Sequence, residues 1–300
     1  MKTRPYLLHA LSPLHAGTGH AAGIVDLPTA RMKATGIPFV PGSSIKGVLR
    51  EARQPSPKTE AVFGPASKPE DHAGALVVGD ARLLALPVRS FRGTFVWATC
   101  PLLLTLALRD LAETSGQADP LKPGAARSLP GVVRPADRGA VVAKDSICVH
   151  DQKLYLEDLD LPVTRSDDLK GWTVLLAPLV CPGEDIFTKR FAVVDDETMA
   201  FLWETSTQID ARVRIHPETR TVASGALWLE ESLPPETLLI GLLAADRSRK
   251  TGQDLDPIQV LDYALGSVTV LQVGGKATIG RGRCRIAPMT SGHGGPHASA

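Results

Sequence analysis

The most regular alternation of apolar and polar residues lies at 208–215, where every second side chain is apolar. Side chains point to alternate faces of a strand, so this period of two predicts a strand with one apolar and one polar face. A turn at 216–219 leads into a second β-rich run at 221–230. The pattern therefore predicts a β-hairpin, which either projects from the fold or lies half-buried in a central sheet.

A helical period follows Gly42. Four apolar residues recur at the spacing of one helix face, namely Ile45, Val48, Leu49 and Ala52. They predict a short amphipathic helix over 43–53, with Ser43 or Ser44 as its N-cap. The basic residues of this helix fall on a different face: Lys46, Arg50 and Arg53. This face and the free N–H groups at the helix start suit a phosphate group, although a solvated surface helix would carry the same pattern.

The other segments predict a mixed α+β chain. Strands are predicted at 6–12, 75–80, 88–98, 191–194, 238–244, 268–273 and 283–287, with an extended pair at 147–156. Helices are predicted at 101–111, 195–203 and 256–265, whereas 172–180 is ambiguous between helix and strand. Segments 55–74 and 113–138 are expected to be a loop and an irregular insertion. This order of elements fits a ferredoxin-like β-α-β-β-α-β core.

Glycines are concentrated in a turn that begins at Gly17 and in the loop 274–282, and the loop's glycines are Gly274, Gly275, Gly280 and Gly282. Glycine lets the backbone approach a partner closely, and successive N–H groups can form an anion-binding nest. Lys276 and Arg281 would add positive charge to the loop. The alternative is a mobile hairpin tip.

The distribution of charge says more than its total, which is only +1. Residues 27–58 hold six basic side chains against Glu51, a net charge of +5, and 274–286 hold four basic side chains and no acid. The rest of the chain must then carry −8. Two basic patches on an acidic body indicate one face that binds a polyanion, although charge can segregate by chance.

Several other classes of protein find no support. Segment 42–47 lacks the ending of a P-loop, and the dinucleotide-like run 17–22 is followed at once by Gly23 and Pro28, which prevent a helix. The four cysteines are far apart and form no C-x-x-C pair, which indicates reduced thiols in a cytoplasmic protein without a structural zinc site. There is no apolar run of about 18 residues and no signal-peptide pattern, so no membrane span is expected.

One carboxylate stands apart. Asp26 lies in a loop flanked by basic residues, and no cation at helical spacing pairs with it. On the residues alone it is a loop carboxylate without an assigned role. His9, His15 and His20 precede it, but their spacings match no zinc pattern, which favours ordinary histidines.

Several blocks occur in a fixed order along most of the chain. They are Val-Asp-Leu-Pro at 25–28, Thr-Gly-x-Pro-x-x-Pro-Gly-Ser-Ser-x-Lys-Gly at 35–47, Pro-Val-Arg-Ser at 87–90, Thr-Cys-Pro at 99–101, Ser-Gly-Ala-Leu-Trp-x-Glu-Glu at 224–231 and the glycines of 274–282. Together they resemble the RAMP superfamily of CRISPR effector proteins, and within it the repeated backbone subunit of type III-B (Cmr) complexes. Segments 55–74 and 113–140 carry no such match.

The resemblance implies an α+β fold with a ferredoxin-like, RRM-like palm, an inserted lid and a β-hairpin thumb. The palm is expected at 1–54, 75–112 and 238–287, with insertions at about 55–74 and 113–205 and the thumb at about 206–232. Residues 1–287 would form a single domain, and 288–300 a disordered tail.

The resemblance also implies a guide-RNA-binding subunit, whose copies assemble head to tail with other Cmr subunits and cleave target single-stranded RNA at regular intervals. Asp26 falls on the family's cleaving aspartate. The nucleophile would be the target's ribose 2′-hydroxyl, and Asp26 could either take the proton of this hydroxyl or help to hold a loosely bound divalent ion, Mg²⁺ or Mn²⁺. RNA contacts are expected from twelve residues: His15, Arg31, Ser43, Ser44, Lys46, Arg50, Gly274, Gly275, Lys276, Gly280, Arg281 and Gly282.

Three alternatives remain open at this point. The first is a structural guide-binding subunit without cleavage, which the presence of Asp26 disfavours. The second is a guide-RNA-processing nuclease of the same superfamily, which usually depends on a histidine-centred base. The third is a small-molecule enzyme, for which the sequence supplies no motif.

Overall fold

The computed structural model describes residues 1–17, 25–65, 71–115 and 129–289. The rest of the Gly-rich turn, including His20, lies outside the described residues. So do parts of the loop 55–74 and of the insertion 113–138, and residues 290–300 of the predicted tail.

The described chain contains fifteen strands and seven α-helices. The first third forms β1 (Lys2–Ala10), β2 (Phe39–Val40), α1 (Gly42–Glu51), α2 (Pro57–Phe63), β3 (Leu76–Val78), β4 (Ala81–Arg89), β5 (Phe95–Thr99) and α3 (Pro101–Ser115). The middle forms β6 (Ala140–Val142), β7 (Val149–His150), β8 (Lys153–Leu156), β9 (Leu159–Arg165), α4 (Lys170–Val180), α5 (Ile186–Arg190), β10 (Phe191–Val194) and α6 (Asp196–Thr205). The last third forms β11 (Gln208–Ile215), β12 (Val222–Ser232), β13 (Leu238–Ala245), α7 (Pro257–Leu265), β14 (Thr269–Gln272), a 3₁₀ turn (Ala277–Ile279) and β15 (Arg283–Pro288).

Thirteen strands form one large sheet in the order β14-β15-β1-β13-β4-β5-β10-β6-β9-β8-β7, with β2 on β4 and β3 on β13. Strand β1 is antiparallel to β13 and β15, and β13 is antiparallel to β4. The next part of the sheet contains parallel pairs, β5 with β10 and β6 with β9. The molecule is therefore a mixed α+β protein built on a mostly sheet core.

Strand β1 shows how the sheet is covered on both faces. Its even-numbered residues Tyr6 and Leu8 pack in a cluster with α1, α2 and α7, whereas Leu7 packs in a second cluster with α3 and α4. Because neighbouring side chains point to opposite faces, these helices lie on opposite sides of the sheet. A third cluster lies under α6 at the other end of the sheet.

The sequence patterns predict many elements correctly. Strand β10 has the predicted bounds, α7 begins at Pro257 with a capping box between Asp256 and Gln259, and the ambiguous run 172–180 lies within helix α4. The predicted extended pair is the antiparallel hairpin β7–β8. The alternating run 208–215 is β11, which pairs with β12 in a separate two-stranded sheet. The hairpin is therefore not part of the large sheet.

Three expectations are wrong. The predicted loop 55–74 contains α2, because Ser56 accepts a hydrogen bond from the Thr59 N–H and Pro57 occupies the first turn. The predicted strand 88–98 is two strands, because Gly93 and Thr94 adopt positive φ angles that turn the chain between β4 and β5. The disordered tail cannot begin at 288, since Pro288 pairs with Tyr6 and Met289 is buried.

The N-cap prediction for α1 is also wrong. The helix begins at Gly42 with Pro41 at the cap position, and no side chain caps it locally. The Gly42 N–H donates instead to the Asp80 carboxylate, at 2.8 Å, from the turn between β3 and β4. A side chain remote in sequence therefore replaces the expected serine cap.

Within the described ranges, no helix is long and apolar enough to cross a membrane. The four cysteines are unpaired.

Candidate nucleic-acid interface

An open pocket joins three segments: the chain after β1, the first turns of α1 and the Gly-rich loop after β14. Its lining residues are His15, Ala16, Gly17, Pro41, Ser43, Ser44, Gly47, Val48, Glu51, Gly274 and Gly275. Five of the residues with predicted RNA contacts therefore share one pocket: His15, Ser43, Ser44, Gly274 and Gly275. Segments from both ends of the chain meet here because β1 lies beside β15.

His15 is nearly buried and has a defined orientation. Its Nδ1 lies 2.7 Å from the Glu231 carbonyl oxygen, which can only accept, so Nδ1 carries a proton and donates. In the neutral ring Nε2 is then the acceptor. A Cβ atom on Gly17 would lie 2.7 Å from Nε2, so a larger residue there would force the ring to shift. The ring therefore packs against the backbone at the pocket wall.

The Gly-rich loop is fixed to the protein at two of its four glycines. Gly274 has φ +77°, and a Cβ atom there would lie 2.3 Å from the His15 carbonyl oxygen. Gly282 has φ +78°, and its Cβ would lie 2.1 Å from the Val273 carbonyl oxygen. By contrast, a Cβ on Gly280 would have open space around it. The close approaches at Gly274 and Gly282 are therefore to the protein's own backbone.

The basic face of α1 is less available to bind RNA than its sequence indicates, because two of its three side chains bond to the protein itself. Lys46 Nζ donates to the Leu76 carbonyl oxygen at 2.9 Å, and burial together with the charge of Arg50 lowers the pKa of Lys46. Arg53 donates to the carbonyl oxygens of Tyr263 and Ala264. Arg50 is half-buried and makes no hydrogen bond or ion pair with a described residue. Arg50 is therefore the one residue of this basic face whose side chain has no bonding partner within the described chain.

Arg31 has internal partners on two sides. Its guanidinium donates to the Glu231 carboxylate at 2.7 Å and to Glu204 at 3.2 Å. It also donates to the carbonyl oxygens of Trp203 and Gly36. An RNA phosphate would have to compete with these four acceptors.

The two charged residues of the Gly-rich loop are also engaged with the protein. Lys276 Nζ lies 2.8 Å from Glu230 Oε1. Arg281 is only 3% exposed and bonds to the hydroxyl of Ser232 and the carboxylate of Asp210. The expectation that Arg281 offers charge on an open loop is therefore wrong, because its side chain lies beneath the hairpin.

Glu230, on β12, is the centre of this charged cluster. It is 1% exposed and accepts from Lys276 and from Trp228 Nε1, while Arg212 Nε lies 3.4 Å away. Burial favours the neutral carboxyl, but the hydrogen bonds from Lys276 and Trp228 and the charges of Lys276 and Arg212 outweigh it and lower the pKa to about 2. The Gly-rich loop and the base of the hairpin are thus joined by ion pairs.

Asp26 is exposed and lies on the edge of β12. Its Oδ2 accepts from the Leu229 N–H at 2.8 Å. Leu27 continues the contact by donating to the Leu229 carbonyl and accepting from the Glu231 N–H. The loop carboxylate and His15 are therefore bonded to positions only two residues apart on one strand, which neither residue's sequence context predicts.

Sequence reasoning assigned no role to three acidic residues of the hairpin base, Asp210, Glu230 and Glu231. The available signal was the pair Glu230-Glu231 at the end of a strand, since adjacent carboxylates on a strand point to opposite faces. Within the described ranges, no group of three or more His, Cys, Asp or Glu side chains is arranged to hold a metal ion.

Comparisons with known proteins agree over nearly the whole chain. The model of the RAMP superfamily matches residues 7–285. The "CRISPR system Cmr endoribonuclease Cmr4" of Pyrococcus furiosus is 33% identical over 303 residues, which cover 97% of each chain.

Solved structures are also similar. The crystal structure of oligomeric Cmr4 from Pyrococcus furiosus has 25% identity and a TM-score of 0.70, covering 97% of this chain and all of the other. A chain in the cryo-EM structure of the type III-B Cmr-beta complex bound to cognate target RNA has 21% identity and a TM-score of 0.72, covering 96% of this chain and 98% of the other, which shows a common fold.

Proposed function

The chain belongs to the RAMP superfamily, and from this premise we propose that it is a guide-RNA-binding backbone subunit of a type III-B CRISPR ribonucleoprotein that cleaves target RNA. The relative at 33% identity is named an endoribonuclease and matches along its full length. The observation that carries the cleavage proposal is Asp26, an exposed carboxylate fixed by the Leu229 N–H at the edge of the hairpin.

A ferredoxin-like palm accounts for the part of the sheet beside the pocket. The order β15-β1-β13-β4 is antiparallel throughout, with α1 between β1 and β4 in sequence and α7 between β13 and β15. This agrees with the connections of a β-α-β-β-α-β unit. The β11–β12 hairpin would be the thumb.

The hairpin is suited to separating bases. One of its faces is apolar and exposed, with Leu227 at 65% exposure. The apolar residues that it presents are Ile209, Val213, Ile215, Val222 and Leu227. Such a face can insert between stacked bases and contact their planes without reading their edges.

The pocket is the proposed guide-RNA site. Ser43, Ser44 and His15 offer hydroxyl and ring groups to a ribose or phosphate, and Arg50 lies on the same helix as the two serines. None of these groups reads a base edge, so binding would be independent of sequence. Oligomeric Cmr4 supports assembly with further copies of this chain, together with other Cmr subunits.

The proposed reaction is attack by a target 2′-hydroxyl on the adjacent phosphorus. The new bond joins the 2′-oxygen to phosphorus, and the bond to the 5′-oxygen of the next nucleotide breaks. The products are a 2′,3′-cyclic phosphate and a 5′-hydroxyl, which takes up a proton. Asp26 would accept the proton of the attacking hydroxyl. Rotation of one nucleotide at the hairpin would align the 2′-oxygen with phosphorus.

A divalent ion is compatible with this site in a limited way. Asp26 Oδ2 accepts from Leu229, and Oδ1 has no partner among the described residues. Mg²⁺ often binds one carboxylate together with phosphate oxygens and several waters, so Asp26 would be its one protein ligand. When bound, the ion would neutralise charge that develops on the phosphate.

The test is Asp26→Asn in the assembled complex, with a labelled target RNA and a divalent ion. The asparagine oxygen can still accept from Leu229, so the loop should stay in place while the base is lost. Cleavage should fall by about 10²–10⁴-fold with guide and target binding unchanged. Asp158→Asn, an exposed carboxylate in the turn between β8 and β9, is the matched control and should cleave normally.

A single deoxyribose 5′ of the scissile phosphate provides the second arm. It should block that cut and leave neighbouring cuts intact. Normal cleavage by Asp26→Asn would move the chemistry to another residue, and normal cleavage of the deoxy substrate would exclude the ribose as nucleophile.

A structural guide-binding subunit without cleavage is the second candidate, and one observation favours it. The Asp26 carboxylate already has a structural bond, to Leu229, so its presence alone does not require catalysis. Because asparagine preserves this bond, the same variant separates the two functions.

A further inference from the structure

Glu231 is 6% exposed and lies beneath the segment that carries Asp26. Its two carboxylate oxygens contact different points of that segment. Oε2 accepts from the Thr29 N–H at 2.9 Å, and Oε1 accepts from the Arg31 guanidinium at 2.7 Å. Burial favours the neutral carboxyl, but the Thr29 N–H and the charge of Arg31 outweigh it and lower the pKa of Glu231. The group therefore stays ionised at neutral pH.

Arg31 extends this contact to the opposite side of the segment. Its guanidinium also donates to the Trp203 carbonyl oxygen at 3.0 Å, near the end of α6, and to Gly36 within the same loop. The fork geometry of arginine allows these bonds at the same time as the ion pair with Glu231. The segment from Leu27 to Arg31 thus lies between β12 and α6.

Main-chain bonds attach the same segment to β12. Leu27 donates to the Leu229 carbonyl oxygen and accepts from the Glu231 N–H. Asp26 immediately precedes this ladder, and its own carboxylate accepts from Leu229. The position of Asp26 is consequently set by the hairpin strand, and Glu231 supplies the only side-chain carboxylate that contacts the segment's backbone among the described residues.

We propose that Glu231 and Arg31 are positioning residues that fix the Asp26 segment to the hairpin, so that the carboxylate and the base-separating strands move as one body. The inference rests on the proposed function, in which Asp26 is the cleaving carboxylate. It gives Arg31 a role within the protein in place of the RNA contact expected from its charge. It also accounts for a buried glutamate beside a segment, 26–31, whose only acidic residue is Asp26.

The test compares Glu231→Ala and Glu231→Gln with Glu204→Gln in the assembled complex. Glu204 is the exposed second carboxylate partner of Arg31, so its variant removes an ion pair from the same guanidinium without freeing the segment. Single-turnover cleavage at saturating target should fall by about 10²-fold in Glu231→Ala, the effect of a misplacement of about 1 Å, with guide and target affinity unchanged. Glu231→Gln keeps an acceptor for Thr29 and should recover part of the rate, and Glu204→Gln should be normal.

Val260→Ala is the control that separates a loss of stability in Glu231→Ala from a loss of positioning. This residue is buried in α7, which packs against β1 and β13. At a temperature where both variants are fully folded, Val260→Ala should cleave normally. Equal losses in the two variants, or normal cleavage by Glu231→Ala, would overturn the proposal.

Hydrogen exchange of the RNA-free protein provides a readout that does not depend on cleavage. The Leu27 and Thr29 amides should exchange faster in Glu231→Ala but not in Glu204→Gln, because the Glu231 carboxylate accepts from the Thr29 N–H whereas Glu204 contacts the segment through the Arg31 side chain. Unchanged exchange at these amides would refute the positioning role. Normal cleavage by Asp26→Asn would instead refute the proposed function, and faster exchange would still show that Glu231 holds the segment.

Discussion

Replacing Arg281 by Met separates a structural role for this residue from the RNA contact that its sequence position predicts. Methionine keeps an apolar stem of similar length and removes only the guanidinium. The change removes the guanidinium from Ser232 and from Asp210, which keeps a hydrogen bond from Gln208 at 3.1 Å. It does not touch the Arg281 carbonyl, which accepts from Gln272.

The environment of each partner sets the size of the effect. Removing one member of a buried ion pair typically costs about 3–5 kcal/mol, because a charge is left unpaired. The Asp210 side chain is 31% exposed and can recover some hydration. Glu230, which lies 4.0 Å from Arg281, keeps its bond to Lys276. We therefore expect the lower end of the range, a loss of about 3 kcal/mol in the free energy of unfolding.

The assay pairs urea denaturation with RNA binding across a range of salt concentrations. Arg283→Met is the matched control, because Arg283 is exposed and its side chain makes no bond to a described residue. Its stability should change by less than about 0.5 kcal/mol. A phosphate contact to single-stranded RNA contributes about 0.7 to the salt slope, so Arg281→Met should leave the slope unchanged in the folded protein. Unaltered stability with a slope reduced by that amount would refute the reasoning and assign Arg281 to RNA.

Two further predictions concern the Gly-rich loop and the residue beneath it. Gly274→Ala should lose more stability than Gly280→Ala in urea denaturation. The positive φ angle costs about 1 kcal/mol in both variants. At Gly274, however, the new Cβ would also lie 2.3 Å from the His15 carbonyl oxygen, whereas at Gly280 it would have open space. Equal losses would contradict the contact with His15. The pKa of Glu230 is about 2 in the folded protein, below its ordinary value of 4.5, so its charge stabilises the protein above about pH 4.5 and this contribution is lost as the pH falls toward 2. Stability measured against pH should therefore show wild type exceeding Glu230→Gln by at most about 3 kcal/mol at neutral pH and converging with it in acid; a gap that does not depend on pH would show that the charge is not responsible.

Local patterns were sufficient where the determinant of structure is local. The helix start at Asp256-Pro257 and the alternation through β11 each involve residues only a few positions apart, and both predictions are confirmed. The α1 cap failed for the opposite reason. Its acceptor, Asp80, is 38 residues from Gly42, and no spacing rule relates the two.

At the candidate site, too, sequence patterns do not predict which residues far apart in the chain will meet. The sequence predicts a basic patch that includes Lys276 and Arg281, because the 13 residues 274–286 contain no acid. Their partners Glu230 and Asp210 are 46 and 71 residues away and reach them only through the hairpin. Positive charge in a loop therefore indicates an anion partner without telling whether that partner is a phosphate or the protein's own carboxylate.

The adjacent residues Glu230 and Glu231 connect two loops through one strand. Alternation along β12 directs their side chains to opposite faces. Glu230 bonds Lys276 of the Gly-rich loop, and Glu231 bonds Thr29 and Arg31 of the Asp26 segment. A shift of β12 relative to the large sheet would consequently displace the Gly-rich loop and the Asp26 segment together. Under the proposed function, this couples engagement of the guide to placement of Asp26 without requiring any direct contact between the two loops.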